Sequence, residues 1–165
     1  MEPKASAMKP ADDGRLARLI HTTRWAAMAT VDESDPYVSW VAYAPEEDFS
    51  CFYLHLSRLA KHTRNLLDNG KISLAISEPD SGEGDPQQLA RLILRGHIEV
   101  VADGSDGYDA AKMHYLKRFP DAAMLFDFAD FSLFRFVVET GRYVEGFASS
   151  HKVSPARLQR VSSLA

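Results

Sequence analysis

Cys51-Phe52-Tyr53-Leu54-His55-Leu56-Ser57-Arg58-Leu59-Ala60-Lys61-His62-Thr63-Arg64-Asn65 passes from a strand into a helix within fifteen residues. Phe52, Leu54 and Leu56 alternate onto one face, the two-residue period of a β-strand. Ser57 is the expected N-cap of a helix over about residues 59–68, and Asn69-Gly70 supplies its stop. Arg58, Lys61 and Arg64 bring fixed positive charge, His62 a titratable ring, and Ser57 and Thr63 hydroxyls. A helix N-terminus carries partial positive charge and unpaired N–H groups, so this junction reads as a seat for an anion, phosphate above all.

Upstream, Asp12 or Asp13 begins a short helix with Leu16, Leu19 and Ile20 on one stripe. Residues 25–31 and 37–44 read as strands joined by the turn Asp32-Glu33-Ser34-Asp35-Pro36, the second of them apolar on both faces. Downstream, residues 71–77 alternate, with Ile72, Leu74 and Ile76 against Ser73, Ala75 and Ser77. A Gly/Pro/Asp loop over 78–86 precedes a long strand over 89–101. Gly96 in its middle marks a bulge or bend. Arg95 and His97 share that strand's wetter face. A helix is expected over 106–118, ending before Pro120, then a shorter helical piece over 121–126. Residues 132–139 and 142–147 read as a hairpin turning at Thr140-Gly141. Residues 1–11 are expected as a loose arm, 12–148 as one domain and 149–165 as a tail. Strands that do not alternate regularly with helices exclude a doubly wound parallel sheet and favour a closed or partly closed antiparallel barrel, mainly β with α.

The 165 residues suit one domain with a real core. A net charge of −4 disfavours nucleic acid as a partner. Cys51, the sole cysteine, excludes an intramolecular disulfide and a cysteine-rich metal site. No apolar run reaches the ~18 residues of a membrane-spanning helix. Residues 1–10 lack a signal-peptide core, so a cytoplasmic protein with no membrane partner is expected. The histidines show no metal-ligand spacing. GxSxG and a phosphate-binding P-loop are also missing.

The strand order, the Pro36-Tyr37-Val38-Ser39 strand, the Ser57-to-Asn65 helix entry and Arg91-Leu92-Ile93-Leu94-Arg95-Gly96 together resemble the FMN-binding split barrels of the pyridoxamine 5′-phosphate oxidase-like superfamily, over about residues 14–148. The Ser57-to-Thr63 phrasing and Tyr143-Val144-Glu145-Gly146-Phe147 look most like its haem-utilisation branch. The resemblance implies a split antiparallel barrel working as a homodimer, with cofactor clefts between protomers. It places FMN phosphate on Ser57, Arg58 and Lys61, with His62 and Thr63 in reach. Met28, Ser39, Trp40 and Val41 would line the flavin ring, and Arg91 would approach it. The implied activity is flavin-dependent oxidoreduction of a small molecule. The alternative is haem binding or degradation, with His151 or His62 as the available iron ligand. Residues 134–143 lack the Trp-containing strand and Arg-x-His-Asp-Arg element of the true pyridoxamine phosphate oxidases, which argues against vitamin B6 synthesis.

Overall fold

The computed structural model describes residues 10–146 and 149–164. Four α-helices, α1 (Pro10–Thr22), α2 (Lys61–Asn69), α3 (Tyr108–Arg118) and α4 (Pro155–Ser162), decorate eight strands. The strands are β1 (Trp25–Asp32), β2 (Asp35–Ala42), β3 (Ala44–Pro45), β4 (Cys51–Ser57), β5 (Lys71–Ser77), β6 (Arg91–Val101), β7 (Phe131–Gly146) and β8 (Ser149–Val153). All pair antiparallel in one sheet of order β2-β1-β5-β6-β7-β4-β3, with β8 on β7. The two ends of this path, β2 and β3, follow one another in the chain without pairing, so the sheet curls into a split barrel rather than a closed one.

Alternation decides which side of each strand fills the interior. Met28, Phe52, Leu54, Leu74, Leu92, Leu94, Phe134, Phe136 and Tyr143 point inward and are fully buried. Leu16 and Ile20 of α1 and Leu158 and Val161 of α4 plug one end. β4 is buried on both faces, where alternation predicted burial on one. Its Phe52, Leu54 and Leu56 join the main core; Cys51 and Tyr53 join a second core with Ala111 and Tyr115 of α3. His55, 8% exposed, is on this second side, its ring stacked on Phe126 at 3.7 Å and edge-on to Tyr115.

Three expectations are corrected. The hairpin at Thr140-Gly141 does not exist, because β7 runs unbroken for 16 residues and pairs Gly141 with Leu94. Gly141 answers a close approach, not a turn: a Cβ there would lie 2.8 Å from Leu94 Cδ2 and 2.9 Å from the Ile93 carbonyl oxygen. The expected tail is part of the domain. β8 pairs with β7, and Arg157 of α4 grips the Asp13 carboxylate through Nε and Nη2 at 3.1 and 2.7 Å, both side chains largely buried. Asp13 is therefore inside α1 and occupied, not its cap, and the expected arm falls largely outside the described residues. The bulge at Gly96 is confirmed: the β6–β7 register shifts between Arg95 and Gly96, and a Cβ at Gly96 would lie 1.9 Å from the Val137 carbonyl oxygen. Gly96→Ala should lower unfolding free energy by roughly 2–3 kcal/mol in urea titrations; an unchanged midpoint would contradict the close approach.

Burial lowers the His55 pKa to about 4, with the Lys112 ammonium adding to the effect. The folded protein holds this ring neutral while the unfolded chain takes up a proton near the ordinary value. The stability this ring contributes is therefore complete above about pH 6.5 and is lost as pH falls toward 4, by up to ~3 kcal/mol. His55→Phe should flatten the fall of the urea midpoint between pH 7 and 5; an unaltered slope would mean the ring is not desolvated.

Candidate functional site

The outward face of the sheet carries the least ordinary surface. Opposite the buried residues of β1 stand Trp25, Ala27 and Ala29, and register sets Ala27 between Trp40 of β2 and Ala75 of β5, with Ile93 of β6 beyond. The small alanines form a floor between taller walls. Trp25 and Trp40 are 53% and 59% exposed, their rings parallel within 1° with centroids 6.2 Å apart. Val38 is 62% exposed on the same face. A groove of about 640 Å³ results, walled by Trp25, Ala27, Trp40, Ala75 and Ile93 and rimmed by Thr22, Thr23, Ser77, Glu78 and Arg91. Apolar area gathered in one patch is characteristic of a surface that meets something.

The rim is tied down. Arg15 holds the Glu78 carboxylate through two bonds of 2.8 and 2.6 Å, and the Ala90 N–H donates to it at 2.8 Å. The bidentate pair keeps the Glu78 carboxyl below its ordinary pKa. Arg91 donates to the carbonyls of Gln87 and Leu89 at 3.1 and 3.3 Å.

The β4–α2 corner departs from a simple phosphate cradle. The N-cap of α2 is Ala60, with no side-chain cap, not Ser57. Ser57 instead donates to Asp130 Oδ2 at 2.6 Å and accepts from the Leu59 N–H at 3.2 Å. Arg58 donates from Nε to Ser132 Oγ at 2.7 Å, and Lys61 pairs with Asp32 at 2.6 Å. Two carboxylates thus occupy the corner that sequence reading filled with cations. With Ala60 as N-cap, no side-chain cap among the described residues closes the first turn of α2. Burial lowers the pKa of His62, which favours the neutral ring.

The ten sequence-predicted residues therefore separate into three places. Trp40 and Arg91 meet in the groove. Ser57, Arg58, Lys61 and His62 cluster at the corner. Met28, Val41 and Thr63 are buried in the interior, so their side chains are turned away from the groove; β1 and α2 each bury the face opposite their exposed one. Ser39 pairs with Met28 and shares its inward direction, its hydroxyl buried without a partner. Asn65, also buried, donates to Thr30 Oγ1 at 3.1 Å and ties α2 to β1. His151 lies on β8, its Nε2 3.0 Å from Ser149 Oγ and 3.7 Å from Glu145, and does not line the groove.

Sequence reading missed Trp25, Ala27, Ala75 and Ile93. The signal was present in strand parity: Trp25 and Trp40 both stand opposite to the inward-facing residues of their strands, and Ile93 interrupts the face that Arg91 and Arg95 keep polar.

A family model described as "CREG, beta-barrel" matches residues 9–159, and the chain belongs to that family. It is 31% identical over 152 residues to the chloroplastic heme oxygenase HOZ of Arabidopsis thaliana, covering 90% of this chain and 44% of the plant protein. It is 27% identical over 129 residues to the heme oxygenase HutZ of Vibrio cholerae, covering 77% and 72% of the two chains. Among solved structures it is similar to a heme binding protein from Mycobacterium smegmatis, with a TM-score of 0.80, 27% identity and coverage of 93% of this chain and 62% of that one. The chain thus spans less than two thirds of the plant and mycobacterial proteins it matches.

Both tryptophans of the chain stand in the groove. Tryptophan fluorescence, excited selectively beyond the tyrosine band, therefore reports on it. Trp25→Phe and Trp40→Phe should each remove a large share of the emission that an added groove ligand quenches. Quenching confined to one tryptophan would place the ligand elsewhere.

Proposed function

We propose that this member of the CREG β-barrel family is a haem-binding protein of the haem-utilisation type, working as a homodimer that holds the macrocycle against the outer sheet face. The observation that carries the reading is the groove. Its flat alanine floor, tryptophan walls and polar rim suit a broad planar ligand with an apolar body and charged edges. The names of the plant, Vibrio and mycobacterial relatives point the same way. A second copy laid over Val38, Trp25 and Trp40 would finish the enclosure and remove exposed aromatic surface, at ~25 cal/mol per Å² of apolar area.

The residues present fit the ring. Ala27 and Ala75 let it approach the sheet, Trp25, Trp40 and Ile93 exclude water from its faces, and the Arg15–Glu78 pair keeps the rim rigid. Among the described residues no imidazole lines the groove, so the ring would be held there by its faces and edges. Bound haem would supply oxygen activation at its iron, the chemistry that two of the relatives' names describe.

One observation favours a second reading, an FMN-dependent oxidoreductase: the uncapped N-terminus of α2 beside Arg58 and Lys61 is a place for a phosphate. Phosphate entering there has to displace Asp32 from Lys61 and stand beside Asp130, and this favours haem.

One titration separates the readings. Haemin added to the purified chain should give a saturable Soret band at one equivalent per protomer, and Trp40→Ala should weaken binding by roughly tenfold or more. Added FMN should leave the flavin spectrum and its fluorescence unchanged. Tight FMN binding without a Soret shift would reverse the order of the two. Light scattering should give twice the chain mass; a strictly monomeric species would remove the second copy from the account.

A further inference from the structure

The same sheet face continues past the groove toward the bulge at Gly96 and changes character there. Two residues along each strand from Ala27, Ala75 and Ile93 stand Ala29, Ser73 and Arg95, then Lys71 beside His97. Together with Thr140 they border a second hollow of about 740 Å³. The step from Ile93 to Arg95 is about 7 Å by strand geometry.

The cations around this face differ in what they already hold. Arg15 grips Glu78, Arg91 is spent on two loop carbonyls, Arg142 donates to Ser150 Oγ at 2.9 Å, and Lys61 pairs with Asp32. The Lys71 ammonium and the Arg95 guanidinium have neither a hydrogen-bond nor an ion-pair partner among the described residues. Among the described residues the one carboxylate bordering the hollow, Glu139, is bonded to the His97 ring nitrogen at 2.7 Å. Ser73 spends its hydroxyl on the Leu94 carbonyl at 3.0 Å, leaving the two cations as the ligand-facing charges.

We propose that Lys71 and Arg95 form a carboxylate seat, and that it takes the two acid side chains of a tetrapyrrole whose apolar body lies in the adjoining tryptophan groove. This rests on the haem reading above and adds the ligand's orientation to it: acid edge toward the bulge, apolar edge toward Trp25. Charge complementarity favours this end over the Arg91 end because an Arg bound to carbonyls must break those bonds before it can receive a carboxylate. It also makes Lys71 and Arg95 selectivity residues, favouring tetrapyrroles that carry free acids over their neutral esters.

Haemin and haemin dimethyl ester, titrated in parallel into the wild-type chain and into Lys71→Gln, Arg95→Gln and the double variant, test the seat by Soret absorbance and tryptophan quenching. The double variant should weaken haemin by about tenfold or more and leave the ester's affinity unchanged. Wild type should prefer haemin to its ester by a similar factor, and the double variant should lose that preference. Haemin affinity unaffected by the substitutions, or an equal loss for haemin and ester, overturns the seat while the haem reading stands. Failure of wild type to bind either compound overturns both. Urea midpoints of the variants matching wild type confirm that the effect is local.

Discussion

Side-chain alternation in one antiparallel sheet is the constraint from which the other features follow. Each inward residue committed to the barrel core obliges its neighbour to point outward. On β4 the outward residues are covered by α3 and the segment around Phe126, which creates a second core. On β1, β2, β5 and most of β6 nothing among the described residues covers them, Val101 at the end of β6 joining the second core. The residues placed there are a tryptophan pair, small alanines and an isoleucine at one end, and two unpaired cations at the other. A chain that left such a face open to water would carry an aggregation liability, and the proposed ligand and second copy would account for its composition.

Much of the fold was legible because local signals agreed with tertiary need. The alternation of residues 71–77, the stop at Gly70 and the bulge glycine at Gly96 all stand where the sequence indicates. Misreadings arose where one residue type serves two physical purposes. Gly141 resembles a turn glycine, yet it clears room for Leu94 and the Ile93 carbonyl in mid-strand. Ser57 resembles a cap, yet its hydroxyl belongs to Asp130, 73 residues away in sequence. Residues 149–165 read as a tail, with Leu158 and Val161 in α4, but the Asp13–Arg157 pair that anchors α4 to α1 is a long-range contact no local pattern could reveal.

The same distinction governs the site. The basic run after Ser57 is visible in sequence, and its neutralisation by Asp32 and Asp130 is not, because the carboxylates arrive from distant elements. The tryptophan groove is the reverse case. Trp25, Trp40, Ala75 and Ile93 are unremarkable singly, and only register brings them side by side. The charge run marks a corner that is largely satisfied internally, whereas the surface with unmet demands is the apolar floor and its two cations.

A crystal structure of the haem-loaded protein tests this weighting most directly. The account predicts electron density for the ring over Ala27, Ala75 and Ile93, bounded by Trp25 and Trp40, with a second copy closing the face. Density for the ligand at the Ser57–Lys61 corner, with the tryptophan groove open to solvent, would contradict it.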